Sequence, residues 1–307
     1  MIGKSRGVKG AASWCAMAVM LYLVCRTCLR AVVSALMNWD IHGASLENPI
    51  GFSQVSLQLF NLLIGALAIA LPVLWLLKTT RLEVTDLRLS RPAPWSPGFC
   101  ALIFLGLANA GNIISGLLSR LMGIPGTGVS LPAEGPALAA AILALCFLPA
   151  IGEELLFRGA LQGLMRPCGS LAAIVAPALL FALLHLNLPQ FIPAFLSGLF
   201  LGWLTERTGS IIPGMLLHLL NNALAAFDLY LQLYAPENYA IGIELFILIG
   251  FPLAGAWMLW RAARQGFSFA DGMRPGARLS TIFTSPAYLL AAAFLAFYTI
   301  WASFFVR

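Results

Sequence analysis

Nine apolar runs, separated by short polar connections, constrain this chain more than any other feature of its sequence. A helix needs about 20 apolar residues to cross roughly 30 Å of hydrocarbon. The fifth and sixth runs are shorter and meet near Pro189 and Pro193, so they form either a tight re-entrant pair or two longer tilted helices. We therefore predict an all-α polytopic transmembrane helix bundle with eight or nine spans, at 14–37, 55–77, 99–122, 136–160, 171–187, 190–205, 211–232, 241–260 and 286–306.

The composition agrees with a membrane protein and argues against other classes. Hydrophobic residues make up 60% of the 307 and charged residues only 10%, whereas soluble domains carry about 25% charged residues. The net charge of +6 is spread over the connections and forms no basic stripe, which argues against nucleic acid as a partner. We expect the partners to be the lipid bilayer and a membrane-anchored protein or peptide substrate. The sequence leaves the oligomeric state open.

Basic residues alternate from one connection to the next. Lys and Arg occur in the N-terminal arm and in segments 78–98 and 261–285, and they are missing from 38–54, 123–135 and 233–240. Short cytoplasmic connections are enriched in Lys and Arg. We therefore predict a multi-pass integral membrane protein with a cytoplasmic N-terminus, and with 158–170 and 206–210 on the same side. The Ala-, Leu- and Arg-rich composition favours a bacterial inner membrane.

The fourth predicted span contains three ionisable residues, in the sequence Glu153-Glu154-Leu-Leu-Phe-Arg158. Each such group at the centre of a span costs roughly 2.5–3.5 kcal/mol on the insertion scale, so it indicates pairing or function. Glu154 and Arg158 are four residues apart with the acid first, the favourable order for a helical ion pair. Glu153 points about 100° away around the helix. It has no partner in its own segment, which suits a general base.

Two of the three histidines of the chain lie in nearby spans. His185 ends the fifth span in Phe-Ala-Leu-Leu-His, and His218 precedes Asn222 by one helical turn in the seventh. At 1.5 Å per residue, Glu153 and His185 lie roughly 20 and 22 Å from the connection between their spans. His218 and Asn222 lie roughly 12–18 Å from the next connection on that side. We therefore expect an acid, two imidazoles and an amide to meet in one layer of the bundle.

This series of motifs resembles the CAAX protease and bacteriocin-processing (CPBP, or Abi) family, which includes the type II CAAX prenyl endopeptidases. The patterns E-E-x-x-x-R, F-x-x-x-H and H-x-x-x-N are all intact here, on successive helices. The resemblance implies a four-helix catalytic core at 136–235, between N-terminal transmembrane helices at 1–135 and C-terminal ones at 236–307. It also implies an intramembrane endopeptidase that acts on membrane-tethered proteins or peptides.

The resemblance also assigns roles to the motif residues. Glu153 activates a water molecule and His185 assists. His218 and Asn222 bind the catalytic assembly or the oxyanion, while the other acid and the arginine of the first motif hold the first helix of the core. The predicted catalytic set is Glu153, Glu154, Arg158, His185, His218 and Asn222.

The same residues allow other interpretations. A zinc-dependent protease would bind Zn²⁺ through Glu153, His185 and His218. We favour the glutamate route without a cofactor, because the chain contains no H-E-x-x-H and an amide is a poor zinc ligand. A transporter that uses the acid and the histidines as a proton or cation path, or an inactive scaffold, is a non-enzymatic alternative.

Several polar residues elsewhere need an interpretation of their own. Arg26 and Arg30 share a face of the first span, which contains no acid. They snorkel to the interface, mark a shorter first span, or bind a substrate carboxylate. Asp228, near the end of the seventh span, is interpreted as an interface residue. Glu206 and Arg207 are interpreted as a solvated connection.

Overall fold

The computed structural model describes residues 7–38, 53–124 and 131–305 of the chain. Within these ranges the regular structure is helical, without a strand. Most of the predicted connection 38–54 and the basic residues Lys4 and Arg6 lie outside the described residues. The helices are α1 (Val8–Asn38), α2 (Gln54–Thr79), α3 (Pro97–Met122), α4 (Gly135–Cys168), α5 (Ser170–Leu183), α6 (Leu188–Thr208), α7 (Ile212–Tyr234), α8 (Glu237–Arg264) and α9 (Pro286–Phe305).

Eight of these nine helices are long and apolar enough to cross a membrane. Large apolar side chains remain exposed along them, as at Leu121 and Leu290, which is typical of faces that contact lipid. The predicted all-α polytopic bundle is confirmed. Together with the composition, these helices identify a multi-pass integral membrane protein.

The fifth helix differs from the rest in length. α5 has 14 residues and is about 21 Å long, short of the roughly 30 Å of hydrocarbon. It packs along α6 in an antiparallel hairpin: a side-chain atom at Gly198 would touch Ala178, and one at Gly202 would touch Ile174. α6 is longer than its predicted span, because Pro189 lies in the first turn, where a missing N–H leaves no helical hydrogen bond unmade.

Two π-helical turns, Leu143–Phe147 and Leu155–Leu161, widen α4. Pro149 follows the first of them and has no N–H to donate to the Leu145 carbonyl four residues earlier. The second begins directly after Glu154. π turns within α-helices are frequent at functional sites, and these two bracket the paired acids. The helix continues to Cys168, so Arg158 lies inside it and not in a connection as the predicted boundary implied.

One end of the bundle is held together by a buried acid. The Glu206 carboxylate, 7% exposed, accepts from Arg166 at 3.1 Å, Arg88 at 3.2 Å and Arg274 at 3.0 Å. The interpretation of Glu206 as a solvated residue is therefore wrong, because basic side chains from three distant parts of the chain converge on it. Arg207 next to it is exposed, as predicted.

These contacts also bring together the connections that were predicted to share a side. Arg88 lies between α2 and α3, Arg166 at the end of α4, and Arg274 between α8 and α9. The start of α1 lies at the same end, since Ser13 and Ser285 exchange a hydroxyl hydrogen bond at 2.8 Å. The shared side is thus a feature of the structure, while its assignment to the cytoplasm stays a prediction.

Candidate active site

A cavity of about 430 Å³ lies among α3, α4, α6 and α7. Four of the six predicted catalytic residues line it: Glu153 from α4, His185 from the turn after α5, and His218 and Asn222 from α7. The expected convergence of an acid, two imidazoles and an amide is therefore present in the structure. The other two residues of the set, Glu154 and Arg158, lie behind the cavity wall and are buried.

Glu154 and Arg158 form the predicted ion pair. Arg158 Nη1 donates to Glu154 Oε1 at 2.8 Å, and the two side chains are 2% and 0% exposed respectively. The same carboxylate oxygen accepts from His218 Nδ1 at 3.0 Å. Because an ionised carboxylate only accepts, Nδ1 carries the proton of that bond. Glu154 thus connects the ion pair of α4 to the histidine of α7, a contact that the motif spacing does not reveal.

The other nitrogen of His218 faces Glu153. Nε2 lies 3.9 Å from Glu153 Oε2. The Glu153 side chain is 21% exposed, whereas Glu154 is fully buried. Two adjacent acids therefore have different surroundings: one is fixed by an arginine and a histidine, and the other is open to the cavity and to any water in it. Of the two acids, Glu153 is the one that lines the cavity.

His185 is oriented by its own helix end. Its Nδ1 lies 2.9 Å from the Phe181 carbonyl, which can only accept, so Nδ1 carries the proton and Nε2 is the nitrogen left for the cavity. The chain turns immediately afterwards at Leu186, whose φ of 56° is in the left-handed region. Non-glycine residues held in that region are strained by roughly 1–3 kcal/mol and are common at functional sites.

Asn222 contacts the widened part of α4. Its Nδ2 donates to the Leu145 carbonyl at 3.5 Å, the group that Pro149 cannot satisfy. Asn221 lines the cavity as well, so the structure places both neighbouring amides there. The motif spacing alone pointed to Asn222. With one amide hydrogen on Leu145, Asn222 keeps a second donor for a ligand.

Two important residues were missed as site residues. Phe181, the first residue of the second motif, lies under the Arg158 guanidinium at 4.6 Å and contacts the His185 and His218 rings edge-on at 5.0 and 6.0 Å. Gly214 lies where a Cβ atom would come within 3.1 Å of Glu154 Oε2. The signal for Gly214 was its position one turn before His218, on the same face of α7.

Further polar residues line the cavity. Asn109 and Asn112 come from α3, and Gln190 from the start of α6. Asp228 also lines it, so its interpretation as an interface residue is incomplete. Amides three residues apart in an apolar span, as in Leu-Ala-Asn-Ala-Gly-Asn, were the available signal for the α3 pair.

α1 contributes to a second, smaller cavity. α1 is helical through both of its arginines as far as Asn38, so the helix itself does not end at them. Arg30 is exposed, but Arg26 is half-buried and lines a space of about 150 Å³ together with Glu153. Of the two arginines, only Arg26 is therefore placed where it could bind a carboxylate in this space, whereas the exposed Arg30 fits snorkelling.

The acid and the histidines do not form a ready metal site. In the ranges that the structure describes, no three His, Cys, Asp or Glu side chains are arranged to hold a metal ion. His218 uses Nδ1 on Glu154, and His185 uses Nδ1 on a backbone carbonyl. Such outer contacts also occur on zinc-binding histidines, so the hydrogen bonds alone do not discriminate.

Comparison with known families gives the same result as the motifs. Residues 135–224 match the family model described as type II CAAX prenyl endopeptidase Rce1-like. This range contains all three motifs, from Glu153 to Asn222. Comparisons with curated proteins and with solved structures gave no match. The resemblance predicted from the motifs is therefore confirmed over this segment of the membrane protein: residues 135–224 are similar to the Rce1-like family, consistent with a CPBP family intramembrane protease.

Proposed function

We propose that this protein is an intramembrane endopeptidase that hydrolyses a peptide bond in membrane-tethered proteins or peptides. The observation that carries the proposal is the cavity among the transmembrane helices, in which an accessible Glu153 lies beside two histidines and an amide. Hydrolysis inside a membrane needs space for water, a base to activate it and donors for the developing oxyanion. The cavity offers groups suited to each of these tasks.

Glu153 acts as the general base in this proposal. It takes a proton from a water molecule as the water oxygen bonds to the carbonyl carbon of the substrate. The proton then passes from Glu153 to the departing amide nitrogen as the C–N bond breaks, and the second proton of the water stays on the new acid, which leaves one carboxylic acid and one amine. His185 assists, because its Nε2 lacks a proton in the neutral ring and is free to orient the water or relay the proton. General-base catalysis contributes roughly 10²–10⁴-fold to a rate.

Asn222 and His218 are the proposed partners of the oxyanion. Asn222 Nδ2 has a donor left after its long bond to Leu145. A protonated His218, with Glu154 on one nitrogen and Glu153 near the other, adds a second donor and a positive charge. Donors fixed in advance where charge develops commonly contribute about 10²–10³-fold each.

Glu154 and Arg158 are positioning residues in this scheme. Their pair is buried, and its Oε1 fixes which nitrogen of His218 faces the cavity. The arrangement is comparable to a protease triad, in which a buried carboxylate orients the histidine and is not itself protonated.

The family match supports substrates that are anchored to the membrane. The description of the family names CAAX prenyl endopeptidases, and we extend to this chain only the wider class of tethered proteins or peptides that are cut near a lipid anchor or a transmembrane end. Confinement to the bilayer raises the effective concentration of such a substrate at the cavity.

The proposal is tested by comparing protein termini, by mass spectrometry, in membranes that contain the wild type or Glu153→Gln. We expect new termini with the wild type alone. Identical termini from both, with the variant inserted at the same level, would refute the proposal and favour the transporter or scaffold alternatives.

We also propose that the reaction needs no metal, because the chain contains no H-E-x-x-H and an amide is a poor zinc ligand. Cleavage of the peptide identified by its termini should continue at an unchanged rate after exhaustive chelation with EDTA and 1,10-phenanthroline. Loss of activity together with one equivalent of zinc, and recovery when zinc is restored, would instead support the zinc-dependent alternative.

A further inference from the structure

The main cavity continues beyond the catalytic groups to a second acid, Asp228, to which the proposed mechanism gives no role. Asp228 lies on α7 ten residues after His218 and six after Asn222, which places it about 15 Å and 9 Å farther along the helix axis. Its side chain lines the same cavity as Glu153. The cavity therefore has a catalytic part around Glu153 and a distal part around Asp228.

The distal part is the open part of the cavity. Lining residues on the side of the Glu206 cluster, such as Phe104 and Leu201, are buried. Asn112 of α3 and Gln190 of α6, which lie on the opposite side, are exposed and line the cavity with their amides. A substrate that enters from this open side passes the distal part before it reaches the catalytic part.

Asp228 has no cationic partner in the part of the chain that the structure describes. Its Oδ2 accepts from Gln232 Nε2 at 3.0 Å, and its Oδ1 is buried without a hydrogen-bond partner. Arg120 at the end of α3 is exposed and forms no ion pair with Asp228. Glu244 of α8 interacts with it electrostatically and adds a second negative charge. An acid within a membrane span is costly without a partner, so Asp228 indicates a ligand.

The charges around the cavity indicate which kind of ligand would complete it. Among the described residues that line it there is no Lys or Arg, and the titratable side chains are Glu153, His185, His218 and Asp228. Glu153 has both histidines beside it and Arg26 in the adjacent small cavity. No such group lies beside Asp228. A ligand that brings a positive charge to the distal part is attracted by this acid, whereas an anion is repelled.

We propose that Asp228 binds a cationic group of the substrate, either the side chain of a Lys or Arg or a free N-terminal amine. The inference rests on the proposed function and makes Asp228 a residue that determines its specificity. Hydrogen bonds between an ionised carboxylate and an ammonium or guanidinium group are roughly twice as strong as neutral ones. The amide oxygens of Asn112 and Gln190, in the same cavity, are further acceptors for such a group.

The spacing along α7 sets the position of the cation in the substrate. An extended peptide spans about 3.3–3.6 Å per residue. The 9–15 Å from Asn222 and His218 to Asp228 therefore correspond to about three to five residues. The cationic group lies at that distance from the scissile bond, in the part of the substrate that points to the open side of the cavity.

The termini that depend on Glu153 give the first test. Substrates aligned at their cut sites should share a Lys, an Arg or a free N-terminus about three to five residues from the cut. Cut sites without a cationic group at this distance would overturn the inference and leave the proposed endopeptidase standing. If no Glu153-dependent cut exists, both fail.

The second test uses the peptide so identified, made with its native anchor in three forms: unchanged, with the basic residue replaced by glutamine, and with the N-terminus acetylated. Full-length wild type in neutral phosphatidylcholine nanodiscs should show a KM at least about tenfold higher for the form that lacks the bound cation, with kcat little changed. The reason is that a charge-assisted contact made before the reaction is lost. A loss with glutamine identifies a side chain, and a loss with acetylation identifies the N-terminal amine.

Variants then assign the preference to one residue. Asp228→Asn should remove it with little change in volume, and Asp228→Glu should retain part of it. Asp228→Lys should reverse it, so that a peptide with glutamate in place of the basic residue becomes the better substrate. The matched control is Glu237→Gln, an exposed acid at the start of α8 that does not line the cavity, and it should keep the wild-type preference.

Other results would overturn the assignment. Equal KM values of the wild type for all three peptides would show that no cation is bound, and this comparison needs no variant to fold. A preference that persists in Asp228→Asn would assign the recognition to another group. A lower kcat of Asp228→Asn on all three peptides, with unchanged KM values, would place Asp228 in the catalytic step instead. Direct binding of the peptides to Glu153→Gln supplies a readout without turnover, and the cationic form should bind more tightly.

Discussion

The Glu154 carboxylate is the most constrained group of the candidate site. It is fully buried, and one of its oxygens accepts hydrogen bonds from both Arg158 and His218. Its other oxygen has no hydrogen-bond partner among the described residues and faces Gly214. Removing either partner would leave a buried charge exposed to apolar surroundings, which costs several kcal/mol. We infer that this carboxylate orients His218, in addition to stabilising α4 through its ion pair.

Replacing Gly214 by alanine tests that inference. The new Cβ would lie 3.1 Å from Glu154 Oε2, closer than almost all such contacts, and the fixed carboxylate has little freedom to move. Because small displacements of catalytic groups can cost up to about 100-fold in rate, we expect the Gly214→Ala variant to insert normally and to cleave roughly tenfold more slowly. The rate is measured on purified protein with the peptide identified from the termini.

Gly116→Ala is the matched control for that change. Gly116 is an exposed residue within α3, and nothing lies within 4 Å of an added Cβ. Alanine there should leave the rate unchanged and raise helix stability by up to about 1 kcal/mol. Equal rates for the two variants would show that the space at Gly214 has no part in catalysis.

At the scale of the elements, Glu206 on α6 forms ion pairs with three arginines from distant parts of the chain. Of the arginines that pair with it, the Arg166 side chain is 9% exposed, whereas Arg88 and Arg274 are 21% and 51% exposed. We expect Glu206→Gln to lower the free energy of unfolding by about 2–4 kcal/mol, less than for a fully buried pair because solvent screens two of the three arginines. The activity of the molecules that remain folded should be unchanged. Thermal unfolding in detergent measures the first effect.

The exposed Glu237 at the start of α8 provides the control. Glu237→Gln removes the same charge without an ion pair among the described contacts, so it should unfold like the wild type. A Glu206→Gln variant with wild-type stability but low activity would contradict the account, because it would place this cluster in catalysis.

Local spacing predicted some features of these elements and could not predict others. Glu154 and Arg158 were predicted as a pair because four residues fix their relation within one helix. The bond from His218 to Glu154 depends on how α4 and α7 are rotated against each other, which no motif specifies. Glu206 was misinterpreted for the same reason: its arginines lie up to 118 residues away in the sequence. The short α5 and the position of Arg26 also follow from packing between helices.

At the scale of the molecule, we assign the two ends of the described bundle to opposite sides of the membrane. α1 and α9 begin at the same end and run through the bundle, and the basic connections gather at that end. With that end in the cytoplasm of a bacterium, as we propose from the positive-inside rule, green fluorescent protein fused after Gly272 should fluoresce. Alkaline phosphatase fused after Ala235 should be active. The reverse pair of signals would invert the proposed orientation while leaving the fold intact.

The whole arrangement places an accessible acid within a membrane-spanning bundle and a buried acid directly behind it. The central claim is that the accessible Glu153 activates water for peptide hydrolysis. The most direct test is the cleavage rate of the anchored peptide by wild type and Glu153→Gln, both purified and reconstituted in nanodiscs. We predict a loss of at least about 100-fold in kcat with unchanged peptide binding, the contribution expected of a general base. A Glu153→Gln protein that cleaves at the wild-type rate would contradict the account.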